Sequence, residues 1–461
     1  MDPVPVSSAY LEDASGLKGR AEGVFRPRTA EEAAEVLTQA SRSRIPITIA
    51  GAGTGVTGGS VPFGGWVVST ERFDRLEIHF GHARVGAGVL LRNLQVAVRT
   101  SSQFYAPDPT EWSASLGGTI ATNASGSRSF LYGSTRRHLI ALTVALMDGS
   151  VRTLHAGDKV NFPYASLPLP RCRKHTAGYF LREDVDFLQL FCGSEGTLGV
   201  VLEAEVALLP QPAEFLTGVV FFKDEDEALD AVDGWREIPE LRMLEYLDGP
   251  SLRLLRNAYP QIPKLAGAAL LIEQITDGVA GHAEDAWLDR LSAAHALEDS
   301  WFGAADADRE RFREFRHKLP EIVNDTVRRN GFQKLSTDLA VPVENNREMM
   351  RWYREQLEGE FPGKFVIFGH IGDAHVHVNI LPETSQDAQR GGEFLVAAAR
   401  QSVALGGTVS AEHGLGKKKA HFLALEFTPT QIESMCDVKR RLDPHWLLGR
   451  GNLLPVPESL R

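Results

Sequence analysis

FVIFGHIGDAHVHVN, Phe365 to Asn379, puts three histidines and an asparagine into what reads as a buried β-hairpin. Val366, Ile367 and Phe368 form an apolar strand, and Gly369 to Asp373 supplies turn residues. In the second strand His375, His377 and Asn379 share one face and Val376, Val378 and Ile380 the other, because side chains alternate along a strand. His370 and His377 lie seven apart, so a straight strand would send them to opposite faces; only the turn between them lets their imidazoles converge. Converging imidazoles are a metal-site expectation, set against ordinary histidines at a core edge bonded to backbone. Glu412 and His413, in SAEHGLGKKK (Ser410 to Lys419), add a carboxylate and a further imidazole, so a three-ligand site with one free histidine can be assembled from two short segments.

The rest of the chain limits what such a site can serve. At 461 residues the length predicts roughly two or three domains, and 43% hydrophobic with 24% charged residues is the balance of a folded chain. A net charge of -11 argues against a chain-wide affinity for nucleic acid or anionic lipid and leaves small anions as ligands. Cys172, Cys192 and Cys436 form no CxxC and no even framework, which fits a reducing compartment and buried apolar thiols rather than a thiolate metal site. No apolar run approaches membrane-spanning length and the N-terminus has no signal-peptide pattern, so a cytoplasmic protein is expected, with peripheral membrane contact left open.

In chain order, Thr29 with Glu32 predicts a capping box ahead of an amphipathic helix reaching about Arg42. A strand from Ile45 to Ala50 then runs into GAGTGVTGGS, Gly51 to Ser60, with five glycines in nine positions. Gly51 and Gly53 imitate a Rossmann fingerprint, but Val56 occupies the third glycine position and residues 57–62 lead toward another strand near Trp66 to Ser69. The better reading is a loop whose bare N–H groups form an anion nest for a diphosphate, against a plain flexible turn. PDPTEWSASLGGTIATNASGSRSFLYGSTRRHL, Pro107 to Leu139, is long for a loop without a function; its small residues allow backbone to approach a flat ligand, and Arg136 or Arg137 is available for phosphate. Leu142 to Met147, closed by Asp148-Gly149, reads as a hairpin strand, and GSEGTLGVV, Gly193 to Val201, leads into a strand to Leu208. From about Pro212 strands alternate with longer amphipathic helices, as in a second α+β domain. One helix, Asp308 to Val327, carries Arg311, Arg313, Arg316 and His317 as a solvated basic face, and Lys417 to Lys419 reads as a solvated helix face.

With these segments in view, the chain resembles the flavoproteins that have a vanillyl-alcohol-oxidase (PCMH) type FAD-binding domain, and within them the FAD-linked D-2-hydroxy acid dehydrogenases acting on D-lactate, glycolate or D-2-hydroxyglutarate. The resemblance rests on GAGTGVTGG, PDPTEWSASLGGTIATNASG, YGSTRRHLIALTVALMDG and GSEGTLGVV, then on GHIGDAHVHVN and AEHGLGKKK. It implies an α+β fold: residues 1–212 as a PCMH-type FAD-binding domain of two α+β subdomains, 213–425 as an α+β substrate (cap) domain with an antiparallel sheet and the metal site, and 426–461 packing back on the FAD-binding domain. It assigns FAD contacts to Gly51, Ala52, Gly53, Thr54, Gly55 and Val56; to Pro107, Asp108, Gly117, Gly118, Thr122, Ser125 and Gly126; and to Glu195, Gly196, Gly199, Val200 and Asn452. It implies that His370, His377 and Glu412 hold a divalent metal, zinc by expectation, leaving His413 as base. RHKLPE resembles the segment whose arginine grips the substrate carboxylate, here Arg316, with Lys334 as a weaker companion; Asn379, on the strand face of His377, is placed to hydrogen-bond the substrate or to support the metal shell.

Departures from the family pattern matter. The usual GDGNxH reads GDAHVH, so Ala374 replaces a glycine and His375 an asparagine, leaving His375 either an extra polar contact or a competing ligand. No histidine in the glycine loop and no cysteine in Pro107 to Gly118 is placed to attach FAD covalently, so noncovalent FAD is expected. GRGNLLP stands in place of the more familiar NPG pattern around Asn452. The implied reaction takes a D-2-hydroxy acid, D-lactate ahead of D-2-hydroxyglutarate and glycolate, to the 2-oxo acid by hydride transfer to flavin N5. The electrons would pass to a quinone, an electron-transfer flavoprotein or a cytochrome, with a homodimer left open. A metal-free FAD alcohol or sugar oxidase and a noncatalytic flavin electron-transfer subunit are the competing readings.

Overall fold

Thr29 opens the first long helix, Ala30–Ser43, by accepting the Glu32 N–H on its hydroxyl at 3.3 Å. The reciprocal half of the expected capping box is shifted by one residue: Glu32 Oε2 takes the N–H of Arg28, at 2.6 Å, not that of Thr29. The next strand is Ile47–Ala50 and not Ile45 to Ala50, because Pro46 has no N–H for a sheet ladder. Ile47–Ala50 and Gly23–Phe25 flank Trp66–Ser69 in a three-stranded parallel sheet. The glycine loop therefore joins two parallel strands without opening a helix, and the dinucleotide-fold alternative fails on that ground.

The computed structural model describes residues 1–276 and 282–457, so the last four residues of the expected C-terminal segment, 458–461, lie outside them. A five-stranded antiparallel sheet follows in the order Leu76–His79, His82–Gly86, Val200–Ala207, Leu139–Ala145, Val151–His155. Its last two strands are the expected hairpin, displaced toward the N-terminus so that Met147 to Gly149 lie outside both strands. Val200–Ala207 alternates buried and half-buried residues along its whole length, the pattern of a strand with one face on a core.

The later part of the chain is organised on an eight-stranded sheet, all of whose pairings are antiparallel. Phe215–Phe222, Ala268–Ile275 and Leu241–Asp248 form its middle, and Phe365–Gly369 with His375–Ile380 extend it. The helix Asp306–Arg329 lays Phe312, Phe315, Leu319, Val323 and Val327 onto this sheet against Val219, Phe221 and Leu271. That helical spacing fixes its rotation and leaves Arg316 directed at the cavity beneath. Pro320 sits inside the same helix and cannot donate to the Arg316 carbonyl, so the helix gives up one bond beside that cavity. This is a mixed α+β architecture with antiparallel sheets, as the motifs led one to expect. No described helix is long and apolar enough to cross a membrane.

Candidate active site

A cavity of about 400 Å³ lies between the glycine-rich loops and the later sheet. On one side it is lined by Gly51 through Val56, by Gly117, Gly118, Thr122, Ser125 and Gly126, and by Glu195, Gly196, Gly199 and Asn452. On the other side stand Arg316, Leu319, Pro320, Lys334, Phe368, His370, His377, Glu412 and His413. Among the described residues, no backbone N–H from 52 to 60 donates to a protein acceptor, which leaves a row of donors free for an anion. Gly117 is held so close to Ala87 that a Cβ there would lie 2.8 Å from the Ala87 Cβ. Small residues suit the approach of a flat ring, and unpaired amides suit an anion such as a diphosphate.

Three expected cofactor contacts fall outside the lining. Val200 is packed in the core with Val36 and Leu448, Pro107 is buried, and Asp108 is spent on Trp112 (2.9 Å) and Arg128 (3.2 Å). Asn379 is likewise buried behind the cavity, its amide nitrogen 3.3 Å from the His377 carbonyl. Strand alternation put it on the side of His377, but the two faces of this hairpin are both covered. Arg136 donates to the carbonyls of Gln189 and Cys192 and is not available to phosphate. The lysine run Lys417 to Lys419 is not a solvated helix face. It lies on turns, not a helix; Lys417 Nζ donates to Asn452 Oδ1 at 2.8 Å and Lys418 Nζ to the Ser15 carbonyl at 3.0 Å. Burial pushes the Lys417 ammonium down to about 8.

The hairpin does what the spacing required. Phe368 pairs with His377, and the short turn over Ile371–Asp373 swings His370 back so that the His370 and His377 ring centroids are 5.7 Å apart. Ala374 closes that turn in the left-handed region, φ 52°, where a glycine would be unstrained. Glu412 arrives from the other segment: its Oε1 lies 3.2 Å from His370 Nε2 and its Oε2 3.9 Å from His377 Nε2. His370, His375, His377 and Glu412 each offer a donor atom within 4.8 Å of the others. Imidazole nitrogens and one carboxylate are a donor set suited to a divalent cation.

Four residues that motif reading missed complete the centre. Glu245 Oε1 accepts from His370 Nδ1 at 2.5 Å while its Oε2 accepts from Arg316 Nε at 2.7 Å. Burial works to raise this carboxyl, but Arg316 and His370 outweigh it and hold it well below the usual range. Thr337 offers its carbonyl to His377 Nδ1 at 3.1 Å. Lys174 is buried and donates to Glu412 Oε1 at 2.5 Å, as Ser125 Oγ does at 2.6 Å; against the penalty of burial, His370 and Lys174 keep Glu412 ionised. Asp338, fully buried, receives the N–H of Glu412 (3.1 Å) and of His413 (3.0 Å) and the hydroxyl of Ser410 (2.8 Å). No motif marked them: Glu245 is one of three charged residues in Leu241–Asp248, with Arg242 and Asp248, and nothing local sets it apart.

His413 is half-buried, its Nδ1 3.5 Å from Asp338 Oδ1 and its ring stacked on His377 at 5.4 Å. Burial lowers its pKa despite the pull of Asp338, which favours the neutral ring. Arg316 reaches the cavity with Nη1 3.1 Å from Thr110 Oγ1, and Lys334 is exposed at its edge. Glu195 ties the two sides together: its carboxylate accepts the N–H of Leu415 (2.8 Å) and of Gly416 (2.6 Å), three and four residues past Glu412. Burial raises this carboxyl to about 7.

Comparison with known proteins shows the family of the chain. Residues 211–453 match the family described as FAD linked oxidases, C-terminal domain, and residues 21–155 match an FAD binding domain. The chain is 30% identical over 447 residues to the glycolate oxidase subunit GlcD of Bacillus subtilis, covering 94% of this chain and 88% of that one. It is 29% identical to a D-lactate dehydrogenase of Archaeoglobus fulgidus (94% and 91% covered) and 27% identical to the mitochondrial D-2-hydroxyglutarate dehydrogenase of Rattus norvegicus (99% and 82%). Among solved structures, an alkyldihydroxyacetonephosphate synthase shares the fold at a TM-score of 0.67, with 16% identity over 92% of this chain and 76% of the other.

Proposed function

Because the chain belongs to the FAD linked oxidase family and is an FAD-dependent oxidoreductase, we propose that it oxidises a D-2-hydroxy acid to the 2-oxo acid, with D-lactate as the first candidate and D-2-hydroxyglutarate and glycolate next. The observation that carries the reading is the convergence of His370, His377 and Glu412, with an uncommitted His413 beside them, on the wall opposite the glycine loops.

Gly51 to Val56 and the small residues of 117–126 hold noncovalent FAD, and His370, His377 and Glu412 hold a divalent cation, zinc in the first instance. When bound, the flavin supplies a hydride acceptor at N5 and the cation supplies Lewis acidity to a hydroxyl and its neighbouring carboxylate. Glu245 fixes the His370 ring through Nδ1 and the Thr337 carbonyl fixes His377, so both present Nε2 inward. Asp338 faces Nδ1 of His413, which leaves Nε2 to take the substrate's hydroxyl proton. Arg316, anchored on Glu245 and Thr110, offers its remaining guanidinium nitrogen to a carboxylate, with Lys334 as a second cation. Leu319, Pro320 and Phe368 give the substrate end an apolar wall that excludes water. The domain limits 1–212, 213–425 and 426–461 belong to the same proposal.

Anaerobic addition of D-lactate, glycolate, D-2-hydroxyglutarate and longer analogues should bleach the bound flavin for at least one of them, and chelation should slow the bleaching. A flavin that no hydroxy acid reduces removes the proposal in favour of an electron-transfer subunit. Reduction that a chelator leaves untouched removes the metal in favour of a metal-free oxidase.

A further inference from the structure

His375 is the least satisfied buried side chain of the centre. Its side chain is fully buried, and neither Nδ1 nor Nε2 makes a hydrogen bond. Nε2 stands 3.4 Å from Asp338 Oδ1, without hydrogen-bond geometry. An imidazole buried only for packing ordinarily finds a backbone or carboxylate partner, because burying its polar atoms unpaired is costly. Its neighbours show how a ring in this cluster is handled. His370 bonds Glu245 through Nδ1 and His377 bonds the Thr337 carbonyl through Nδ1, and each then directs Nε2 toward Glu412.

His375 has the same two features in weaker form: a carboxylate beside one nitrogen, and a place in the group whose donor atoms lie within 4.8 Å of one another. Its ring centroid is 4.6 Å from that of His377 and 5.3 Å from that of His370. The chain holds it there from both sides, through the left-handed Ala374 before it and the antiparallel pairing of Ala340 with His375.

We propose that His375 gives a ring nitrogen to the divalent cation, as a fourth protein donor beside His370, His377 and Glu412. This rests on the reading of those three residues as a metal site. Three imidazoles and one carboxylate already complete a tetrahedral shell, so a chelating hydroxy acid is admitted only by expanding the coordination number. The centre is therefore suited to borderline divalent ions that accept five or six donors and take imidazole readily, such as zinc or cobalt. It also holds its ion more tightly against chelators than three donors would.

The test uses the flavin-loaded protein, stripped of metal and reloaded with zinc or with cobalt alone. X-ray absorption at the zinc edge of the unaltered protein should count three imidazoles, and this needs no variant. His375→Asn should weaken zinc, measured against a competing chelator, by about 10-fold or more and should shift the visible bands of the cobalt form, while bound FAD stays at one per chain. His375→Gln serves as a second variant if the first does not fold. Two imidazoles in the unaltered protein, or zinc affinity and cobalt spectrum unchanged in the variant, would overturn the assignment of His375 and leave the three-residue site intact. A protein that retains no stoichiometric metal would overturn both.

Discussion

The loop after Ala50 and the hairpin after Phe365 line the same cavity, yet the first presents backbone and the second presents side chains. In the glycine loop the donors are amides that any residue carries, and what the sequence must supply is smallness and permissive φ, as at Gly53 (φ 71°) and Gly58 (φ 78°). In the hairpin each functional atom belongs to one residue type, and its aim depends on a partner from elsewhere: Glu245 for His370 and Thr337 for His377. A backbone-built surface fails through volume; a side-chain-built centre fails through identity.

The sharpest separation should come from His413→Ala. Flavin reduction by substrate should fall by about 10²- to 10⁴-fold with FAD content unchanged, measured by anaerobic stopped flow; normal reduction would take the base role from His413. Next is Arg316→Met, which strips the buried Glu245 of its guanidinium partner. Loss of one member of such a pair should cost about 3–5 kcal/mol of stability, read by denaturant titration, and raise KM for the hydroxy acid. A stability change below about 1 kcal/mol would mean that His370 alone satisfies Glu245.

On the other wall, Gly117→Ala adds a methyl 2.8 Å from the Ala87 Cβ. Overpacking of that kind should cost about 1–3 kcal/mol and lower the FAD-to-protein absorbance ratio by more than it lowers zinc per chain. Equal loss of FAD and zinc would show that the two walls do not fail separately. The smallest effect belongs to the turn. Ala374→Gly relieves a left-handed alanine but frees the unfolded chain, and should move stability by less than about 1 kcal/mol. A larger loss in thermal melting would mean that the Ala374 methyl, buried beside the hairpin, contributes by packing.

Much of this was legible beforehand, and the contrast between the walls explains which parts. The convergence of His370 and His377 followed from a turn between strands; composition marked the glycine clusters as room for an anion and a flat ligand, and the resemblance to the flavoprotein family named that ligand FAD. Lys174, Glu245 and Asp338 were invisible because they reach the centre from 238, 125 and 75 residues away in sequence from Glu412, His370 and His413 respectively. The lysine run was misread for a related reason: a charge run looks solvated until Asn452 and Ser15, each distant in sequence, prove to be its acceptors. Val200 was placed on the wrong side because the register of Val200–Ala207 turns that residue into the core and leaves Val201 toward the cavity.

The segment from Glu412 to Lys418 is fastened at both ends of its function. Its first residue belongs to the histidine cluster, its Leu415 and Gly416 amides rest on Glu195, and the Lys417 and Lys418 amides both rest on the Thr57 carbonyl within the glycine loop. A cation held by Glu412 and a flavin held by the glycine loop would then each stiffen the seat of the other, and thermodynamic reciprocity would make the help mutual. Preparations dialysed free of metal should leak flavin faster, and deflavinated protein should surrender its ion at lower chelator concentration.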